Sequence, residues 1–368
     1  MERYLNKQIR QDLSRKMVFI GGPRQVGKTT LAKNLQKNFA YYNWDIPQDR
    51  RLIRAQEFSN EPLLIFDEIQ KYKSWRNYLK GLYDQLGKNK KILVTGSAKL
   101  DIMRRGGDSL QGRYHYLRLH PLSFAELKMK NTSDLETLFE LGGFPEPFLS
   151  GSKKEANRWS REYSVRFFRD EVTSIQHIQD LGNMELLFDR LPDLVANPLS
   201  LNALREDLQI AHHTVNRWLK IFELFYGIFR LPPFGAPSIR AVKKEQKHYH
   251  YDWNLISQDG PRFENMIACH LLKWVNFLED TEGRNLELRY FRDVDLKEVD
   301  FVVLENKKPI LFVECKLSDD EVTRGLKYLN AKFPNVQAYQ ISLRGKKSFI
   351  TATNIRVCSA TEFLGDLV

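Results

Sequence analysis

Residues Gly22-Pro23-Arg24-Gln25-Val26-Gly27-Lys28-Thr29 satisfy G-x-x-x-x-G-K-[ST] at every fixed position, and nothing else constrains the fold as tightly. The apolar run Met17 to Ile20 precedes the motif as a buried strand would. Thr30, Leu31, Ala32 and Leu35 follow it with helical spacing. A glycine-rich turn between strand and helix lets several backbone N–H groups converge on one anion, and the helix start adds partial positive charge. The loop, together with Thr30, is therefore expected to cradle the phosphates of a nucleoside triphosphate, taken as ATP. Lys28 is expected to reach the β- and γ-phosphates and the Thr29 hydroxyl to ligate Mg²⁺.

Downstream the chain alternates strand and helix signals, as in an α/β fold with a central parallel sheet covered on both faces. The expected strands are Met17–Ile20, Ala40–Trp44, Leu63–Phe66, Ile92–Thr95 and Tyr114–Leu119. The third ends in Asp67-Glu68. Beside a phosphate loop, Asp67 can hold the Mg²⁺ hydration shell and Glu68 can polarise the water that attacks the γ-phosphate. The fourth ends in Thr95-Gly96-Ser97, where Thr95 can sense the γ-phosphate or the segment can simply cap the next helix. Arg113, in Ser109-Leu110-Gln111-Gly112-Arg113, can stabilise transition-state charge in cis or across a subunit boundary, or form a surface salt bridge. Arg104 and Arg105 compete for the same role.

At 368 residues the chain is too long for one ordinary core, and 42% apolar with 28% charged residues describes a globular protein. No apolar stretch is long enough to span a bilayer, and the first residues lack a signal peptide's apolar core. Leu5, Ile9 and Leu13 instead recur every four residues. Cys269, Cys315 and Cys358 are odd in number and far apart, which fits a reducing cytoplasm. The net charge of +11 is uneven. Residues 1–130 hold 26 Lys+Arg against 12 Asp+Glu, and the remainder 31 against 34. A basic first part can bind DNA backbones without reading sequence, or merely favour ATP capture and solubility.

Residues 126–180 read as helices broken by the glycines and prolines of Gly142–Pro147, with Trp159, Tyr163, Val165 and Phe167 on a long connecting helix. Residues 199–231 suggest a helix-turn-helix. Leu201, Leu204 and Leu208 form the first apolar face, and Thr214 caps a second helix with Val215, Leu219 and Phe222 inward. Asn216, Arg217 and Lys220 then face outward as on a recognition helix. A basic wing over Pro232–Lys247, with Arg240, Lys243, Lys244 and Lys247, completes a winged helix that binds DNA or another protein.

A second constellation follows. Asp300 lies in a strand-like run, Glu314-Cys315-Lys316 ends the apolar run Ile310–Val313, and a turn near Glu305–Lys308 brings the two together. Strand alternation places Glu314 and Lys316 on one face, and Glu264 can join from a preceding helix. This is the D…E-x-K arrangement of restriction-type nucleases, in which Asp300 and Glu314 hold a divalent metal and Lys316 orients or deprotonates water. A retained scaffold with a buried ion cluster is the alternative.

Together, Gly22–Thr30, Asp67-Glu68-Ile69-Gln70, Thr95-Gly96-Ser97, Gly112-Arg113 and Pro121-Leu122-Ser123-Phe124 resemble a large bacterial and archaeal family of predicted AAA-type ATPases. Gly142–Pro147 and Arg169-Asp170 continue the likeness, and the Pro-Arg-Gln filling of the loop is specific to it. The resemblance implies a five-stranded ATPase core with the phosphate-loop strand central. It also implies a C-terminal domain with a restriction-endonuclease-like core. The expected organisation is an ATPase domain over 1–125, a helical lid over 126–184, a winged helix over 185–250 and the nuclease-like α/β domain over 251–368. The expected function is a cytoplasmic, Mg²⁺-dependent ATPase acting on or regulated by DNA. An ATP-gated DNA nuclease and a nucleotide-switched interaction protein are the alternatives.

Overall fold

The computed structural model describes residues 1–86, 89–96, 110–168, 180–235 and 245–368, which fall into two compact units, Met1–His120 and Pro121–Val368. In the first, α1 (Asn6–Asp12) leads into β1 (Met17–Gly21), α2 (Lys28–Lys33), β2 (Ala40–Asn43) and α3 (Pro47–Ala55). β3 (Leu63–Asp67), α4 (Trp75–Leu86), β4 (Lys91–Thr95) and β5 (Tyr114–Arg118) follow. The strands form one parallel sheet in the order β2-β3-β4-β1-β5. β1 and β3 are buried at all five positions, which is why they read as continuous apolar runs instead of alternating ones. β1 lies inside the sheet, one strand from its edge. Phe19, Phe66, Trp75 and Leu79 pack one face of this sheet into a core. Leu5 and Ile9 of the N-terminal helical repeat are fully buried, and Leu13 nearly so.

The second unit begins with α5 (Thr132–Leu141), α6 (Pro145–Ser150) and α7 (Lys153–Arg166). The prolines expected to break a helix start one instead. Pro145 occupies the first turn of α6, where its missing N–H has no intrahelical partner to lose. Trp159 and Tyr163 stack on each other and pack tilted against Phe144, as an aromatic core set should, but Val165 is half exposed.

α8 (Leu181–Arg190), β6 (Pro198–Leu199), α9 (Leu201–Leu208), α10 (His212–Leu224), β7 (Ile228–Leu231) and β8 (Gln246–His250) come next. The three strands make an antiparallel sheet in the order β6-β8-β7. Val215, Leu219 and Phe222 are buried on α10, whereas Arg217 and Lys220 are exposed and Asn216 is half-buried. Thr214 does not cap this helix. The cap position is Ala211, in extended conformation without a side-chain bond, and Thr214 sits inside the first turn. Arg240, Lys243 and Lys244 lie outside the described residues, as do Ser97, Arg104, Arg105, Ser109, Arg169 and Asp170.

The chain ends with α11 (Asp259–Glu282), β9 (Leu286–Arg292), β10 (Glu298–Glu305), β11 (Lys308–Lys316), α12 (Arg324–Lys332), β12 (Gln337–Ser342), β13 (Phe349–Ile350), β14 (Ile355–Ser359) and α13 (Ala360–Gly365). A six-stranded mixed sheet has the order β13-β14-β12-β11-β10-β9. β9, β10 and β11 are antiparallel, and β11, β12 and β14 are parallel.

One detail of the β10–β11 hairpin decides which side chains meet. Asn306 and Lys307 both have positive φ, at 50° and 67°, so Glu305 pairs with Lys308 across a two-residue turn. Pairing continues to Leu304–Pro309, then shifts by one residue to Val303–Leu311, leaving Ile310 as a bulge. From there Phe301 pairs with Val313, and one step further Asp300 stands opposite Glu314. Directly paired residues share a face. Without the extra residue Asp300 would face Val313, and Glu314 would point to the other side.

Candidate functional site

The phosphate loop leaves the C-terminal end of β1. Gly22 has φ 137°, and a Cβ there would lie 2.3 Å from the Leu119 carbonyl oxygen, so only glycine fits. Gly27, at φ 98°, opens α2 in the left-handed region. Lys28 is buried, and its ammonium donates to the loop carbonyls of Gly22 and Pro23. The charge is thus held at the loop itself.

Asp67, at the end of β3, is the hub beside it. Its Oδ2 accepts from Thr29 Oγ1 at 2.7 Å and from the Tyr41 hydroxyl at 2.8 Å, and its Oδ1 accepts from Thr95 Oγ1 at 2.7 Å. The sheet order explains the convergence. β2 and β4 flank β3, and β4 also pairs with β1, so Tyr41 of β2, Thr95 at the end of β4 and Thr29 of the helix that follows β1 meet at one carboxylate. Burial, followed by the Asp67 charge and hydrogen bond, pushes the Tyr41 phenol well above its usual range, so it remains a donor. The Lys33 ammonium covers the Tyr41 ring at 3.7 Å from its centre. Tyr41 escaped the sequence reading because nothing linear ties it to Asp67; only the neighbouring position of β2 and β3 does.

Glu68 follows in the left-handed region, at φ 56°. Its Oε2 accepts from Gln70 Nε2 at 2.9 Å and lies 3.5 Å from the Lys71 ammonium. At Gly96 a Cβ would come within 2.6 Å of Gln70 Oε1, so a larger residue there would displace the Gln70 side chain. Arg113 is not brought to this site. It precedes β5, whose first residue pairs with Met17 at the start of β1, and the loop leaves the far end of that strand. Five strand residues, roughly 17 Å, separate the two. Arg113 instead bonds Asp84 at 2.8 Å on the surface, so a role in cis on its own chain's nucleotide is ruled out by position.

The second unit does bring Asp300, Glu314, Lys316 and Glu264 together, but with a residue that the sequence reading had assigned to a basic wing. Lys247, on β8, is 1% exposed in its side chain. Its ammonium lies 2.6 Å from Glu298 Oε1, 3.0 Å from Glu264 Oε1 and 3.6 Å from Asp300 Oδ1. Burial pulls its pKa down, but the charges of Glu264, Asp300 and Glu298 outweigh burial, and Lys247 stays protonated. Tyr249, two residues on and therefore on the same strand face, also donates to Glu264 Oε1 at 2.7 Å. That alternation was the signal in the sequence: Lys247 and Tyr249 flank one position of a short strand, not a solvated loop.

Asp300 Oδ2 accepts from the Cys315 backbone N–H at 2.8 Å, and Lys316 donates to Glu314 Oε1 at 2.9 Å. Glu314 Oε2 is buried with no hydrogen-bond partner among the described residues. Burial and then Asp300 push the Glu314 carboxyl up to about 8, and the same pair of causes brings Glu264 to about 7. The expected metal pair, Asp300 and Glu314, stands on one face of the sheet, one step beyond the Phe301–Val313 pair. Among the described residues no group of three or more His, Cys, Asp and Glu is arranged to hold a metal ion, and a lysine stands in the carboxylate cluster. The three cysteines are free, and no described helix is long and apolar enough to cross a membrane.

A parallel sheet ending in a phosphate loop, with a carboxylate hub at the neighbouring strand end, is the geometry of a P-loop domain. Accordingly, residues 14–128 match the family described as an AAA domain. Residues 132–258 and 259–363 match two domains of unknown function, DUF8612 and DUF4143. Among similar proteins, an uncharacterized protein of Methanocaldococcus jannaschii is 26% identical, covering 92% of this chain and 84% of its own. An uncharacterized protein of Mycobacterium tuberculosis is 24% identical over 65% of this chain, which spans only 55% of that protein. Among solved structures, a RuvB variant of Thermotoga maritima overlaps at TM-score 0.28 and 16% identity, covering 62% of this chain and 89% of that one. A Bacteroides Pif1 helicase with ADP-AlF3 and single-stranded DNA overlaps at TM-score 0.22 and 15% identity, covering 38% and 50%.

Proposed function

We propose that the chain is an Mg²⁺-dependent ATP hydrolase. The observation that carries this is the Asp67 carboxylate, bonded at once to the loop hydroxyl of Thr29 and the strand-end hydroxyl of Thr95, beside a buried Lys28. A hydroxyl and a carboxylate side by side are a hard-oxygen donor pair that suits Mg²⁺, so Thr29 and Asp67 are the residues that would hold it. Bound there, the metal would neutralise charge on the β- and γ-oxygens. Lys28 and the loop N–H groups of residues 22–30 bind and orient the phosphates. Glu68 orients the attacking water once its carboxylate leaves Gln70. Release of phosphate from ATP by the pure full-length chain, with and without DNA and with and without EDTA, tests this reading. No metal-dependent turnover under any of these conditions would sink it.

Two features support action on, or regulation by, DNA. The order α8-β6-α9-α10-β7-β8 with sheet order β6-β8-β7 supports a winged helix, and α10 exposes Arg217 and Lys220. The order α11-β9-β10-β11-α12-β12 supports a restriction-endonuclease-like core for the C-terminal part. Between the two remaining readings, nuclease and nucleotide-switched interaction protein, the ammonium of Lys247 among the acidic residues favours the second. Incubation of plasmid with chain, ATP and Mn²⁺ distinguishes them: cut DNA that depends on Asp300 would restore the nuclease.

A further inference from the structure

We propose that Lys247 is the resident cation of the C-terminal acidic cluster, filling the place between Glu264, Glu298 and Asp300 that a divalent ion would need and keeping the cluster metal-free. The inference deepens the interaction-protein reading and rests on it. It uses only the geometry of the second unit, so it holds whether or not the first unit hydrolyses ATP.

The distances carry the argument. A metal bound to carboxylate oxygens sits about 2.1–2.5 Å from each. Glu264 Oε1 and Asp300 Oδ1 are 3.0 and 3.6 Å from the same Nζ, so an ion bound to both on the side that Lys247 occupies would overlap the ammonium or force it out. Ejection leaves it nowhere close to go, because the side chain is 1% exposed and its strand is paired on both sides. Charge agrees with sterics. A buried ammonium with three carboxylates around it is a satisfied ion cluster, and a dication added beside it would meet its repulsion at low effective dielectric. Without the lysine the same oxygens would be a cation site in waiting. Glu264 and Asp300 would lose the Lys247 ammonium, Glu298 would keep, among the described residues, only Arg292 at 3.8 Å, and the buried, unpartnered Oε2 of Glu314 would supply a further acceptor.

The origin of the plug gives it a second meaning. Lys247 does not belong to the six-stranded sheet that carries Asp300 and Glu314. It comes from β8, which pairs Lys247 with Pro198 of β6 and with Leu231 of β7. The small three-stranded sheet therefore closes the acidic cluster of the large one, and its seating decides whether the cluster is open to metal.

The test is Mn²⁺ titration of the nucleotide-free full-length chain, read as free Mn²⁺ by electron paramagnetic resonance. Wild type, Lys247→Met, Asp300→Asn and the double variant are compared, with cooperative melting as the check of folding. Wild type and Asp300→Asn should give the same isotherm, since Asp300 binds no metal while Lys247 is seated. Lys247→Met should gain one site, about tenfold or more tighter than any wild-type binding, and the double variant should lose it. A folded Lys247→Met with no added site overturns the proposal. So does a wild-type site that vanishes in Asp300→Asn, and this pair decides the matter even if Lys247→Met does not fold. A wild type that binds Mn²⁺ through Asp300 yet leaves DNA uncut would overturn this inference alone and leave the interaction-protein reading standing.

Discussion

At the scale of single residues the two candidate centres differ in how visible they were. Lys28, Thr29, Asp67 and Glu68 are legible because a phosphate loop and a strand-end acidic pair each have a local pattern. Their work separates by mutation. Lys28→Ala removes a contact made to phosphate in ground and transition states, and should weaken ATP binding and abolish turnover. Glu68→Gln should bind ATP as well as wild type does and lose about 10²–10⁴-fold in turnover, the usual worth of a positioned base. Parallel ATP-binding and phosphate-release measurements check both, and a Lys28→Ala chain that turns over at the wild-type rate refutes the assignment. Tyr41 was illegible because it works across strands distant in sequence, and Lys247 left only its alternation with Tyr249, which marks a strand but does not point to the carboxylates it meets. A second residue-scale expectation comes from buried histidines. His248 and His270 are lowered to about 4 and His250 well below 6.5, burial being the main cause in each. His250 has no hydrogen-bond partner on either ring nitrogen among the described residues. The unfolded chain takes up these three protons near pH 6.5 while the folded chain does not. Stability is therefore present above that pH and is lost as pH falls toward 4. Glu264 and Glu314, raised to about 7 and 8, act oppositely, since the folded chain holds their protons above the unfolded carboxyl range. Within this set three uptakes oppose two, so stability should fall between pH 6 and 5, and Asp189 and Asp252, raised by burial in the same sense as the glutamates, make the fall shallower. Denaturant melts at the two pH values read this slope, and a chain more stable at pH 5 than at pH 6 contradicts it.

At the scale of elements, the strands of the first unit were read nearly to the residue, because buried parallel strands are continuous apolar runs between turn signals. Helix starts were read less well. Pro145 begins a helix it was expected to end, and Thr214 sits inside one it was expected to cap, since both residue types suit the first turn as well as the boundary. The β10–β11 turn offers a test of element-level physics. Lys307 adopts φ 67° at the second central position of a two-residue hairpin, a conformation that costs a side-chain-bearing residue about 1 kcal/mol and costs glycine almost nothing. Lys307→Gly should therefore raise stability by up to about 1 kcal/mol after its own entropy loss is subtracted, measured by denaturant melts. A destabilised variant would mean that the lysine side chain makes up more than the strain costs.

At the scale of the whole molecule, charge asymmetry and element order point to different surfaces. Residues 1–130 carry the basic surplus, while α10 of the second unit exposes Arg217 and Lys220. The structured surface is the expected contact. Arg217→Ala with Lys220→Ala should weaken DNA binding by the full-length chain and reduce the slope of log affinity against log salt by about 1–2. Reversal of the exposed Lys7, Lys37 and Lys73 to Glu should leave that slope closer to wild type. The opposite ranking would move the contact to the first unit. The bulge at Ile310 carries a consequence of another kind. Because it sets which side of the sheet Glu314 occupies, the acidic cluster depends on a parity: the number of residues between the hairpin turn and Glu314. Insertions or deletions there that change the count by an even number preserve the face, and those that change it by an odd number invert it. The hairpin can thus drift in composition freely and in length only by twos, so among diverged chains of this architecture the cluster should survive substitution far better than it survives a single-residue gap.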